Sequence, residues 1–203
     1  MSSFVEIANA ALDLVGQQQI MSLDDSTAAA RKAKLHIYDA VREVLAVGRW
    51  SSAKKPAVLS QLSPAPTFGW DYRYQLPGDY IRLISVNEND DFDPRLDLWR
   101  IVGRELHTDE SSVNLVYVSD LTASGNDINA ASQPLTEAFK LKLATKLAWV
   151  FQQSRTLRES LIAEYRLKVR DALLVDALES RPPLVNQLNE SNWLRNRIAS
   201  TNG

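Results

Sequence analysis

The sequence has no cysteine, two histidines and seven glycines in 203 residues, and each scarcity removes a class of chemistry. Without thiols there is no disulfide framework, no thiolate metal site and no cysteine nucleophile; synthesis in a reducing compartment fits that composition. His36 and His107 have no carboxylate motif at metal-ligand spacing around them, so both are expected in structural or surface roles. The scattered glycines offer no phosphate-cradling loop, and no HExxH, GxSxG, GxGxxG or Walker pattern occurs. An excess of one charge is also missing. The chain has 23 basic and 25 acidic residues, a net of −2, so no strongly basic footprint for nucleic acid exists. No run approaches the roughly 18 consecutive apolar residues of a membrane span. Met1-Ser2-Ser3-Phe4-Val5-Glu6 lacks the basic and apolar regions of a secretory leader, so neither leader nor membrane association is expected.

What is present is an ordinary globular composition, 45% hydrophobic and 24% charged. A chain of this length suits one domain with an elaboration and can bury a core without staples. Phe4, Ile7, Ala8, Ala11, Leu12 and Val15 recur at helical spacing, with Ser2 or Ser3 placed to cap and Gly16 to stop a first helix. After a linker over 17–23, Asp24-Asp25-Ser26-Thr27 supplies caps for a second helix over 28–47, striped by Ala30, Ala33, Ile37, Val41, Val44 and Leu45 and ended by Gly48.

From 55 to 129 the period changes. Pro56, Pro64 and Pro66 forbid a continuous helix. Trp70, Tyr72, Tyr74 and Leu76 alternate as a half-buried strand does, Pro77-Gly78-Asp79 marks a turn, and further strands are expected over 80–86, 99–102 and 113–118, with 105–107 a possible addition. Short strands between brief turns predict an antiparallel meander. Helical spacing returns with Ser132-Gln133-Pro134, where proline suits a first turn. Leu135, Ala138, Phe139, Leu143, Leu147, Val150 and Phe151 give a broad apolar side edged by the stems of Lys142 and Lys146. After a break near Ser154, a fourth helix over 156–179 carries Leu157, Leu161, Tyr165, Val169, Ala172, Leu173 and Ala177, and Pro182-Pro183 closes it. The layout predicts an α+β fold, mainly α. A discontinuous four-helix core (1–55 and 130–181) is interrupted by an antiparallel β-insert (56–129) between helices two and three, and an extended C-terminal arm follows (182–203).

Three constellations could carry chemistry, and each has a plainer reading. Asn87, Asn89, Asp91 and Asp93 alternate oxygen ligands as a calcium loop does. The sixth and twelfth positions then hold Phe92 and Leu98 rather than the required glycine and glutamate, so a solvated hairpin loop is expected. Phe68-Gly69-Trp70-Asp71-Tyr72-Arg73-Tyr74 could stack bases or sugars, but alternate aromatics are also what a strand turns toward its core. Arg155, Arg158, Arg166 and Arg170 could track phosphate, yet Glu159, Glu164 and Asp171 interrupt them, as on a mixed-charge helix surface. A tail-associated glycan hydrolase would need paired carboxylates; Asp90 and Asp91 point oppositely if extended, with no partner placed against them. The stretch over 184–203, with Leu188, Trp193, Leu194 and Ile198 isolated among polar residues, cannot form its own core. It is either frayed or an arm that orders against a partner, with Trp193 and Leu194 as anchors.

Several of these residues resemble a known family. Ala8-Asn9-Ala10-Ala11-Leu12-Asp13-Leu14-Val15-Gly16, then Ile20 and Ser22-Leu23-Asp24-Asp25, are similar to the opening of the T7-type podophage tail tubular protein A family, the tail adaptor or head-to-tail connector. Gly48 and Trp50 after the long helix, and Leu76-Pro77-Gly78-Asp79-Tyr80 in the β-region, match further elements of that pattern. Gln17-Gln18-Gln19-Ile20 stand where the family commonly has Glu-Pro-Pro-Val. The resemblance implies a structural protein without catalytic residues, cofactor or metal. It implies a homo-oligomeric ring, a dodecamer, made in the host bacterial cytoplasm and residing in the virion neck between the portal protein and the tail tube or nozzle protein. DNA would pass through the lumen without specific binding, and low net basicity suits such a channel. Helix packing between subunits would involve Phe139, Leu143, Leu147, Leu161 and Tyr165; the arm residues Leu188, Trp193, Leu194 and Ile198 would reach the portal. Alternatives are a head-completion connector of another tail type, or a non-phage binding module that uses the β-insert.

Overall fold

Ser3 opens the first helix with a reciprocal cap. Its hydroxyl accepts from the Glu6 amide at 3.1 Å, and the Glu6 carboxylate accepts from the Ser3 amide at 2.8 Å. The computed structural model describes residues 3–87, 98–152 and 154–179. Helix α1 (Phe4–Leu14) buries Ile7, Ala8, Ala11 and Leu12. Gly16, at φ +65°, turns the chain away in the left-handed region expected of a glycine after a helix. The Asn9 side chain then holds the linker, accepting from the Ile20 amide at 2.8 Å and donating to the Ile20 carbonyl at 2.9 Å. Thr27 caps α2 (Ala28–Leu45), its hydroxyl accepting from the Ala30 amide at 3.1 Å. Helix α2 ends slightly before 47, and Arg82 donates to the carbonyls of Ala46 and Val47 at 3.0 and 2.8 Å, satisfying acceptors a helix end leaves open.

Helix α3 (Gln133–Phe151) is the hub, packed against α1, α2 and α4 (Arg155–Glu179). Its buried residues lie on nearly every side, Leu135, Ala138, Phe139, Leu143, Ala144 and Leu147 among them; a helix apolar all round belongs in the middle of a core. Gly48 explains the glycine–tryptophan spacing after α2. A β-carbon there would lie 2.5 Å from a methyl of Leu173 on α4 and 2.7 Å from the Trp50 ring. Trp50 is buried, and its indole N–H donates to the Val44 carbonyl at 3.0 Å. The end of α2 and the flank of α4 therefore meet over a residue with no side chain.

The strands form two three-stranded antiparallel sheets. The inner one has order β1-β6-β3, with β1 Lys54–Val58, β3 Tyr80–Val86 and β6 Asn114–Ser119; the outer one has order β2-β5-β4, with β2 Tyr72–Gln75, β4 Trp99–Val102 and β5 Glu105–Thr108. This corrects the expected meander: β4 and β5, joined through Gly103 (φ +61°), are sequence neighbours that pair, whereas β1 pairs with β6 and β2 with β5. The reason is that the inner sheet is covered on both sides. Along β6, Val116 and Val118 join the helical core while Leu115 and Tyr117 join a second cluster with Tyr74, Leu76 and Leu106 of the outer sheet. The aromatic run over 68–74 divides accordingly: Tyr74 is buried, its hydroxyl donating to the Glu110 carbonyl at 2.8 Å, while Phe68 stays exposed.

Polar joints fix the sheet to the helices. Arg42 on α2 pairs with buried Asp120 at 2.7 Å. Asp79, in the Leu-Pro-Gly-Asp-Tyr element, accepts from Lys55, Asn126 and Tyr117 at 3.0, 3.0 and 2.8 Å. Burial alone would raise the Asp79 carboxyl; the hydrogen bonds from Asn126, Lys55 and Tyr117 outweigh it and hold the group below its ordinary value. Burial and the Asp79 carboxylate push the Tyr117 phenol up to about 12. Overall, four α-helices and two small antiparallel sheets among the described residues make an α+β fold that is mainly α, as the periodicity predicts.

Candidate functional site

Helix α4 presents two surfaces that the other described residues leave uncovered. Leu161, Val169 and Ala172 are its buried residues, and they face α3 with partly buried Leu157, Tyr165 and Leu173. At about 100° per residue, Leu167, Leu174 and Leu178 fall on the opposite side of the helix, with Val175 beside them. They are 56%, 60% and 67% exposed. Isolated exposed leucines need no explanation, but a stripe along two turns and more of one helix marks a surface meant to be covered. Glu164 and Asp171 lie along its edge and keep it from being wholly apolar.

The second surface is a cleft of 510 Å³ between α2, α3 and α4. His36 and Glu43 line it from α2, Lys142, Lys146 and Trp149 from α3, and Arg158, Tyr165 and Arg166 from α4. Spacings of seven on α2 and of four and three on α3 put each set on one side of its helix. Glu43 joins the walls, pairing with Lys142 at 2.7 Å and Lys146 at 2.6 Å. Burial would raise the Glu43 carboxyl, but hydrogen bonds from Lys142 and Lys146 prevail and lower it. Burial, with Lys146 and Lys32 nearby, pushes His36 below its ordinary value, which favours a neutral imidazole. The Lys142 ammonium stands over the Tyr165 ring at 5.2 Å, and the Arg158 guanidinium over the Trp149 ring at 5.6 Å. With His36 neutral, four cations against one carboxylate leave the walls at a net +3.

The residues expected to pack between subunits fare differently. Phe139, Leu143 and Leu147 are fully buried, and Leu161 is 4% exposed, all inside the protomer's own core. Within this chain the apolar side of α3 packs against α1, α2 and α4, and Leu161 packs from α4 into the same core. Tyr165 is half-buried and remains accessible from the cleft. The arm residues Leu188, Trp193, Leu194 and Ile198 lie outside the described residues, as do Asp90 and, of the alternating oxygen side chains, Asn89, Asp91 and Asp93. The residues that sequence reasoning missed are Leu167, Leu174 and Leu178. Their spacing of seven and four was visible, but the longer stripe through Leu161, Tyr165 and Val169 claimed the helix first.

The histidines sit apart. His107 Nε2 lies 3.2 Å from Glu105, beside Arg73 on the outer sheet. Among the described residues no cluster of histidine and carboxylate side chains is arranged to hold a metal ion, and no helix is long and apolar enough to cross a membrane. Glu159 pairs with Arg155 at 2.7 Å, in keeping with a mixed-charge helix surface. No protein-family model matches the chain, and no curated protein matches it.

Proposed function

We propose that this chain is a structural adaptor of the phage neck, whose copies close into a ring joining the portal to the tail tube or nozzle and letting DNA pass. The single observation that carries this reading is the leucine stripe of α4. A helix that is apolar on two opposite sides, with one side spent on its own core, has the other side available for a second copy. Burying each of Leu167, Leu174 and Leu178 there contributes on the order of 1–2 kcal/mol. A ring needs a head-to-tail contact, in which such a stripe meets a different surface of the next protomer.

The residues that carry the family resemblance support the same reading, because they hold architecture. Asn9 fastens the linker, Gly48 and Trp50 seat α4 against α2, and Asp79 joins the sheet to the loop before α3. In the assembled virion the stripe would be the subunit contact and the chain after Pro183 the portal contact. The test is native mass with portal present. Wild type is expected to form a dodecameric particle, and Leu174→Glu with Leu178→Glu is expected to remain monomeric while folding normally. A wild-type chain that stays monomeric on portal, or a double variant that still forms rings, removes the proposal.

A further inference from the structure

The ring reading leaves the cationic cleft without a role. Lys142 and Lys146 already share Glu43, but Arg158 and Arg166 carry no carboxylate partner among the described residues; Arg158 instead lies over Trp149. Trp149 is 57% exposed although it belongs to the otherwise buried hub helix. Paired guanidiniums beside an open indole suit a ligand with carboxylates around an aromatic ring, since guanidinium binds carboxylate through two parallel hydrogen bonds.

The chain itself contains such a ligand. Residues 88–97 hold five carboxylates (Glu88, Asp90, Asp91, Asp93 and Asp97) against Arg95, a net of −4, with Phe92 in their midst. With the whole chain at −2, everything else carries a net +2, so the acidity is concentrated in this one segment. We propose that the α2–α3–α4 cleft seats residues 88–97 of a second copy of this chain. The proposal rests on the ring reading for the presence of that copy, and it adds the polar half of the contact to the leucine stripe.

The geometry favours a neighbour's segment over the chain's own. Asn87, where the segment begins, is tied to Asn114 and Ser112 at 2.8 and 3.2 Å. That is the end of β3 beside Val86, which belongs to the outer cluster; the opposite end, at Tyr80, is where the sheet meets Asp79 and Ser119 near the helices. Nucleic acid fits less well. Glu43 lies in the cleft, and Glu159, Glu164 and Asp171 break up the charge along α4, so the cations make a local pocket and not the extended basic face that a phosphate backbone needs. A cleft of 510 Å³ has room for a few side chains, which suits a peptide loop.

The test titrates a fluorescently labelled peptide of residues 87–98 with the full-length chain in low salt, following anisotropy. The acceptor carries Asp90→Asn, Asp91→Asn and Asp93→Asn, so that its own segment does not compete. Saturable binding is expected, weakened at least about tenfold by Arg158→Glu with Arg166→Glu and also weakened by Trp149→Ala. These side chains are solvent-facing, and circular dichroism of each variant verifies that it folds. The inference is overturned if the peptide does not bind, if binding ignores those variants, or if a single-stranded oligothymidylate binds the cleft more tightly than the peptide. Peptide binding is read on monomers, for which the Leu174→Glu, Leu178→Glu background serves. Failure of the ring and failure of the docking are therefore seen separately.

Discussion

Helices α3 and α4 run side by side, and both are rich in leucine, yet they use it differently. In α3 nearly all the apolar residues but Trp149 are consumed by the protomer: Leu135, Phe139, Leu143 and Leu147 are fully buried, and Lys142 and Lys146 on the remaining side are drawn to Glu43 of α2. In α4, three residues are buried, and Leu167, Leu174, Val175 and Leu178 are left exposed by the described residues. The same difference holds for charge. Lys142 and Lys146 of α3 share one carboxylate within the chain, whereas Arg158 and Arg166 of α4 are not paired with a described carboxylate. One helix completes a fold; the other keeps apolar and cationic surface that the described residues do not cover, the surface on which the proposed assembly draws.

That contrast can be broken at its strongest point first. Leu147→Ala removes a fully buried side chain of α3 and is expected to lower unfolding free energy by about 2–5 kcal/mol, measured by urea denaturation. Leu174→Ala on α4 should change it by less than about 0.5 kcal/mol. Equal losses at the two positions would erase the distinction.

Gly48→Ala tests the clamp that holds the buried side of α4. The new methyl meets a terminal methyl of Leu173, which can give, and the Trp50 ring, which cannot retreat freely because Trp50 is buried and hydrogen-bonded to Val44. A loss of about 1–3 kcal/mol is expected, with Trp50 fluorescence altered; an unchanged midpoint would mean that α4 is seated by other contacts.

The smallest effect concerns the ion pairs of α3. Glu43 is depressed in the folded state, so its contribution is present above the ordinary glutamate range near 4.5 and is lost as pH falls through its lowered folded value. The carboxylate is about half exposed, and solvent screens it. Glu43→Gln should therefore cost only about 0.5 kcal/mol at neutral pH. The cost should shrink as pH falls through that lowered value, beneath which both proteins lack the charge. A penalty that persists in acid would point to packing and not to charge.

Much of this architecture was legible because local physics decides it. Ser3 and Thr27 announce their helices by capping, Gly16 ends one by its left-handed turn, and the runs at 80–86 and 99–102 alternate or stay apolar as strands do. Strand β1 was not legible. It contains Pro56 and two lysines, a composition tolerated because β1 is an edge strand, and edge status is a property of the sheet order, not of the segment. Pairing β1 with β6 and β2 with β5 depends on partners about sixty and thirty residues away. The candidate surfaces were harder still. Periodicity identifies which sides of α4 are apolar, but only packing reveals that Leu161 is spent and Leu174 is free.

The linker between α1 and α2 hangs on one side chain. Asn9 grips Ile20 through its amide and carbonyl alone, as a neighbouring strand would, and is indifferent to the side chains between. Gln18 and Gln19 project into solvent, so the structure leaves their identity unconstrained, while Ile20 beyond them is buried. Its length is another matter. A single inserted residue between Gly16 and Ile20 would carry both backbone partners out of Asn9's reach together, so this linker tolerates rewriting but not resizing.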